Sequence, residues 1–307
     1  MGRIAGDDPG YTFRICRYEE VPLDLNDLSD TLAGRKHRVW TPTEYGFTFV
    51  SVSTFIGEVL AKPASAMAWW GFRIGLAGVT DAYLNSEDPD LPLADADMLE
   101  EFVRARGVDP NMKLETAGAR GSEAHGVLEL LAARDDGDAL DAAKRETEEF
   151  GTEYGTAVIS WWNEQIRPFL ETGQILQVRS EVPVWSFTHR YAGTFDLAIE
   201  WDKMLHADAT GPWWEIIDLK THKPAAGFTR PGKGPGYISD ATQIRGYRMA
   251  FEEMGLGRTF SQRTVVVRDR AYKGVSWLED TRTVPPEFVI KLRELYDVKV
   301  AFEKGEQ

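Results

Sequence analysis

Two aspartates and a lysine stand at the ends of neighbouring strand-like runs: Asp196 in Gly193-Thr194-Phe195-Asp196, and Asp218 with Lys220 in Ile217-Asp218-Leu219-Lys220. Residues two apart in a strand point to one face, so Asp218 and Lys220 project together while Leu219 turns into the opposite layer. Carboxylate oxygens are the ligands that a hard cation such as Mg2+ or Mn2+ prefers. Two of them converging would hold one while it polarises a phosphate and lowers the pKa of a bound water. A lysine beside them can orient or activate that water, or neutralise charge building on the phosphate. A D-x-K triplet also arises on solvated strand faces, and these residues alone leave both readings open. Position adds to the first: Asp218 closes the run Trp213-Trp214-Glu215-Ile216-Ile217, where a bare carboxylate needs a partner.

The elements that must hold these groups are legible as periodicities. Ala117, Ala124, Val127, Leu128 and Leu131 recur at helical spacing and predict a helix from about 114 to 134, with His125 inside it. A longer helical pattern follows, from about 142 to 170, with Phe150, Tyr154, Ala157, Val158, Trp161 and Trp162 on its apolar face. The texture then changes to strand: 175–185, 193–201 and 213–220. A helix over 239–254 carries Gln243 and Tyr247, four apart and so on one face. A strand over 263–268 completes an α-β-β-β-α-β order from Ala142 onward, and a strand over 274–278 and a closing helix over 287–303 follow it. Upstream, the sequence suggests a hairpin over 38–50, a helix capped by Ser53 or Thr54 and beginning near Phe55, a second starting at Pro63, and another over 95–106. Trp69 and Trp70 in the second of these read as core residues, with base stacking the alternative.

Composition narrows the function classes. The 307 residues carry 35 Lys+Arg against 49 Asp+Glu, a formal charge of -14, which argues against coating DNA with a basic surface but not against a local basic cleft. The single cysteine, Cys16, excludes a disulfide framework and any cluster built from several thiolates of this chain. No apolar run approaches the roughly 20 residues of a membrane span, and the start lacks the apolar core of a signal peptide, so a cytoplasmic protein with no membrane partner is expected. No Gly-x-x-x-x-Gly-Lys-Ser/Thr loop is present, so no nucleotide-driven motor of that type is fused to the chain.

The strand pair G-T-F-D and I-D-L-K-T, followed by Gln243-Ile244-Arg245-Gly246-Tyr247 on the next helix, resembles the PD-(D/E)XK nuclease superfamily, and within it the RecB-like exonuclease branch. Gly121-Ser122-Glu123-Ala124-His125 is similar to the upstream histidine motif of that branch, and Glu181-Val182-Pro183-Val184 to its glutamate on the strand before the first aspartate. The stretch Val52-Ser53-Thr54-Phe55 to Leu60-Ala61-Lys62-Pro63-Ala64 resembles phage-encoded members.

The resemblance implies an α/β fold with a restriction-endonuclease-like core, a mixed central sheet flanked by helices, over 114–307, and a mainly helical N-terminal elaboration over 1–113 that walls the active site. It implies that His125, Asp196 and Asp218 ligate Mg2+ or Mn2+ with the backbone carbonyl of Leu219, and that Lys220 is catalytic. Gln243 and Tyr247 would line the site, with Glu181 in support. Phe195 stands where the family's name has proline, and Cys16 alone cannot hold the iron-sulfur cluster of some relatives, so a cluster-free chain is expected. The implied activity is metal-dependent exonucleolytic hydrolysis of DNA in recombination, replication or end processing, with a recombinase or single-strand annealing protein as a further partner. The alternatives are a restriction-like or junction-resolving endonuclease and a non-catalytic DNA- or partner-binding relative.

A Gly/Pro-rich loop, 227–236, joins the Asp218 strand to the Gln243 helix and must therefore lie beside the site. Its Arg230 and Lys233, with His222 and Lys223, form the strongest local basic patch and are expected to grip the DNA backbone; a plain surface turn is the alternative.

Overall fold

A computed structural model of the chain describes residues 49–60, 110–133, 141–145, 153–202, 213–221, 237–272 and 275–305, with positions 101, 104, 105 and 147. The chain divides into two compact units, Ala61–Glu123 and the remainder, Met1–Leu60 with Ala124–Gln307. In the smaller unit, positions 101, 104 and 105 are helical and 110–123 form the first part of helix α2 (Pro110–Ala133). The rest of the fold described below belongs to the larger unit.

Its centre is a mixed six-stranded sheet flanked by helices. The strands are β1 (Val50–Ser51), β2 (Ile175–Ser186), β3 (Tyr191–Trp201), β4 (Trp213–Thr221), β5 (Arg258–Tyr272) and β6 (Val275–Asp280). β2 and β3 form an antiparallel hairpin, β4 runs antiparallel to β3, β5 parallel to β4, and β6 antiparallel to β5. The parallel step needs a crossover, which helix α5 (Ile238–Glu253) supplies. β2 borders β3 from end to end, so β1 and β4 share its other edge: β1 pairs only with Tyr191 and Ala192, and β4 only from Leu197 onward. Between them, among the described residues, Gly193 to Asp196 have no strand partner on that edge.

Helices cover both faces. One layer holds α1 (Val52–Val59), α5 and α6 (Pro286–Glu303); Phe55, Ile244, Tyr247, Phe251, Val289 and Leu292 pack there against Tyr191, Phe195, Trp214 and Ile216. The other holds the end of α2 with α3 (Glu153–Gln165) and α4 (Arg167–Glu171); Val127, Leu128, Val158, Trp161 and Trp162 pack against Leu197, Ile199, Ile217, Leu219, Val265 and Val267. The alternation on β4 sends even-numbered residues toward α5 and odd-numbered ones toward α3, as period two requires.

The expected strand and helix order from the 142–170 region onward is present, including the strand expected over 274–278, at Val275–Asp280, and the closing helix, at Pro286–Glu303. Three local readings change. The helix expected to run unbroken to 170 stops at Gln165 and restarts at Arg167, because Pro168 has no N–H to continue the ladder and sits in the first turn of a new helix. The first helix is capped neither by Ser53 nor by Thr54. It begins at Val52, since Ser51 is still paired with Ala192 and is the last extended residue. Of the hairpin expected over 38–50 only its end is described, and there Val50 pairs in parallel with Tyr191. Trp69, Trp70 and the helix expected from Pro63 lie outside the described residues, as does most of the one expected over 95–106. Among the described residues no helix is long and apolar enough to cross a membrane.

Candidate metal centre

The β2–β3 hairpin places Ser180 opposite Leu197 and Val182 opposite Phe195, so Glu181 and Asp196 face each other across the ladder. Glu181 has φ 50, in the left-handed region that a non-glycine side chain rarely occupies. The effect on alternation is visible on both strands. Val178 packs in the α3 layer but Val182 and Val184 in the α5 layer; across the hairpin, Phe195 packs in the α5 layer and Leu197 in the α3 layer. Both strands thus exchange faces at one pair, and that pair carries the two carboxylates.

Asp196 fills the gap where β3 and β4 part. Its Oδ2 accepts the backbone N–H of Leu219 at 2.5 Å, and its Oδ1 lies 2.7 Å from Nδ1 of His125, which α2 brings in beside its buried residues Ala124, Val127 and Leu128. The carboxylate is an acceptor, so Nδ1 carries the proton, and the lone pair of the neutral ring sits on Nε2. His125, Glu181 and Asp196 each offer one ligand atom, and these atoms all lie within 4.8 Å of one another.

On the α5 side of β4, Asp218 is 2% exposed and its Oδ2 lies 2.6 Å from Nζ of Lys220. The partner that a buried carboxylate needs is therefore the lysine two residues on. Burial pushes the Asp218 carboxyl up to about 6, against the pull of Lys220 and with the help of the Asp196 charge. Burial acts to lower Lys220, but the charges of Asp218 and Asp196 outweigh it and raise the ammonium above its ordinary value. For His125 burial likewise acts downward, and the hydrogen bond and charge of Asp196 more than offset it, so the imidazole is raised. Asp218 and Lys220 both act electrostatically on His125, so groups from two helical layers meet at the split in the sheet.

Gln243 and Tyr247 do share one face of α5: Nε2 of Gln243 donates to Oη of Tyr247 at 2.6 Å. The Tyr247 ring lies on β3 at Gly193, where an added Cβ would come within 2.6 Å of Cε1. The first residue of Gly193-Thr194-Phe195-Asp196 is thus small because an aromatic ring packs on it, a reason the sequence motif does not disclose. Tyr247 is 3% exposed, and burial together with the Asp218 charge raises its hydroxyl.

The donor set suits a divalent cation. Ligands on opposite sides of an ion with bonds of about 2.1 Å stand about 4.2 Å apart, and adjacent ones about 3 Å, so small side-chain movements would close His125, Glu181 and Asp196 onto one ion. One imidazole with two carboxylates is a set that Mn2+ accepts as well as Mg2+. Glu181, read from sequence only as a supporting residue, stands within this group; its turn at positive φ leaves no trace in the alternating pattern. The contact described for Leu219 is its N–H to Asp196 Oδ2. Arg230, Lys233, His222 and Lys223 lie outside the described residues, as does Cys16.

No family model matches the chain, and no curated protein matches it. Among solved structures, one described as the crystal structure of SSO0001 is similar at 16% identity, covering 56% of this chain and 74% of that one, with a TM-score of 0.27. A likeness of that degree carries no argument for fold or activity.

Proposed function

We propose that the protein is a metal-dependent deoxyribonuclease, an exonuclease of the PD-(D/E)XK type with a RecB-like core. One observation carries this: His125, Glu181 and Asp196 present ligand atoms within 4.8 Å of one another, beside a buried Asp218–Lys220 ion pair. A structural ion pair has no need of a neighbouring histidine and two further carboxylates, whereas phosphodiester hydrolysis uses all of them.

His125, Glu181, Asp196 and Asp218 would hold Mg2+ or Mn2+. When bound, such an ion supplies a polarised phosphate and a bound water of lowered pKa. The chain does the rest. Lys220 sits beside Asp218 as an ammonium, so it donates to a phosphate oxygen and stabilises the charge that gathers there. Asp218 holds that ammonium at the end of β4, beside the split where β3 and β4 part. The Gln243–Tyr247 pair fixes the α5 side of the site, and the Tyr247 ring keeps the strand end in place through Gly193. Arg230 and Lys233 are suited to the flanking phosphates. DNA is the partner this assigns, and a recombinase or single-strand annealing protein would fit the same setting.

The deciding experiment offers linear and covalently closed circular DNA to the protein with Mg2+ or Mn2+, with and without EDTA. Loss of linear DNA alone, blocked by EDTA, is the expected result. Cutting of the closed circle would make the protein an endonuclease, and no metal-dependent loss of either substrate would leave it a binding member of the fold.

A further inference from the structure

Large apolar side chains stand exposed at three places among the described residues: Leu176 at the start of β2, Leu295, Val298 and Phe302 on α6, and Tyr237 with Ile238 at the start of α5. Leu176 is next to Ile175, which pairs with Trp201, at the end of the hairpin away from Asp196. The α6 residues lie on a helix that supplies none of the reactive groups. Tyr237 and Ile238 differ. They open the helix that carries Gln243 and Tyr247, directly after the crossover from the Lys220 strand, and they are 53% and 59% exposed.

Their exposure is not that of a loose end. The Tyr237 N–H donates to Asp240 Oδ2 at 2.7 Å, and its carbonyl accepts the Asp240 N–H at 3.1 Å. The Ile238 carbonyl accepts the Thr242 hydroxyl at 2.6 Å. Asp240 and Thr242 are themselves buried, so the pair stands on a fixed support. At a rise of about 1.5 Å per residue, Tyr237 is about 9 Å along the helix axis from Gln243, a span of one to three nucleotides.

We infer that Tyr237, flanked by Ile238, is a platform for an unpaired nucleobase close to the phosphodiester at Asp196, Asp218 and Lys220. The inference rests on the nuclease reading above and deepens it by naming the substrate end. An aromatic ring stacks on any base without regard to sequence, but inside a duplex both base faces are already covered. A single strand or a frayed terminus meets the requirement.

The test compares wild type with Tyr237→Phe and Tyr237→Ala on a single-stranded oligonucleotide carrying 2-aminopurine near the end. Binding is read by 2-aminopurine quenching with Ca2+ in place of the catalytic ion, and turnover with Mn2+. Replacing the ring by a methyl should weaken binding roughly tenfold and abolish the quench, while Tyr237→Phe should keep both. Equal affinity and equal quench in all three proteins would overturn the platform, even with full nuclease activity. A wild type that quenches but never cleaves would instead overturn the nuclease reading and leave the platform standing. Circular dichroism of Tyr237→Ala confirms that the helix start is intact.

Discussion

The β3–β4 pair has two unlike ends. From Leu197 to Trp201 the strands are fully paired, and past them Trp201, Trp213, Phe260 and Phe169 meet edge to face, with centroids 5.2 to 6.5 Å apart. At the other end pairing stops before Asp196 is reached, and His125, Glu181, Asp218 and Lys220 gather at the opening. The same two strands therefore build an apolar anchor and a charged slot. The difference is one of backbone accounting: where a ladder is complete, side chains only pack, but where it ends, a carboxylate can take the idle N–H and remain fixed with its second oxygen available to a neighbour.

Changes at the two ends should separate cleanly. The largest effect is expected at the slot: Asp218→Asn, which preserves shape, should lower metal-dependent hydrolysis by about 10³ or more while the circular dichroism spectrum is unchanged. Activity within a fewfold of wild type would sink the assignment of Asp218. At the anchor, Phe260→Ala should cost about 2–3 kcal/mol in a urea titration and leave kcat of the folded protein as it was. A large fall in kcat there would show that the two ends are coupled.

Gly193→Ala tests the border between them. The new methyl meets the Tyr247 ring at 2.6 Å, so something must shift, at a cost of about 1–3 kcal/mol, with activity falling as well because the ring moves the site wall. Full stability with the ring unmoved would mean that Gly193 is dispensable. The smallest effect is the pH dependence of the metal-free fold. His125 is raised from 6.5, so its pairing with Asp196 adds stability that is fully present below 6.5 and lost as pH climbs through the raised value. The ring is one-third exposed, so solvent screens the effect. With EDTA present, the thermal midpoint of wild type should exceed that of His125→Gln by less at pH about 8 than at about 6. A gap that widens with pH would reverse the sign.

Much of this was legible beforehand, for reasons that differ by residue. The helical spacing of Ala124, Val127, Leu128 and Leu131 puts one face of α2 in the core, and all four are buried. The period of two on β4 places Asp218 and Lys220 together, and their 2.6 Å contact follows. Glu181 was less legible because alternation assumes an unbroken pleat, and the turn at positive φ is invisible to it. Pro168 is plain in the sequence, yet apolar spacing runs through it and hides the break between α3 and α4. The role of Gly193 depends on a ring that arrives from more than fifty positions downstream, beyond any local pattern.

The paired turn of faces at Glu181 and Asp196 has a bearing on how this protein can change over generations. Apart from Glu181, Gly193 and Asp196, side chains along the β2–β3 hairpin are less constrained than the count of residues between the two carboxylates. A single insertion or deletion in the connecting turn would slide one strand past the other, set Glu181 against Phe195 or Leu197, and put the face exchange of one strand out of step with that of its neighbour. Length binds that turn more tightly than spelling does.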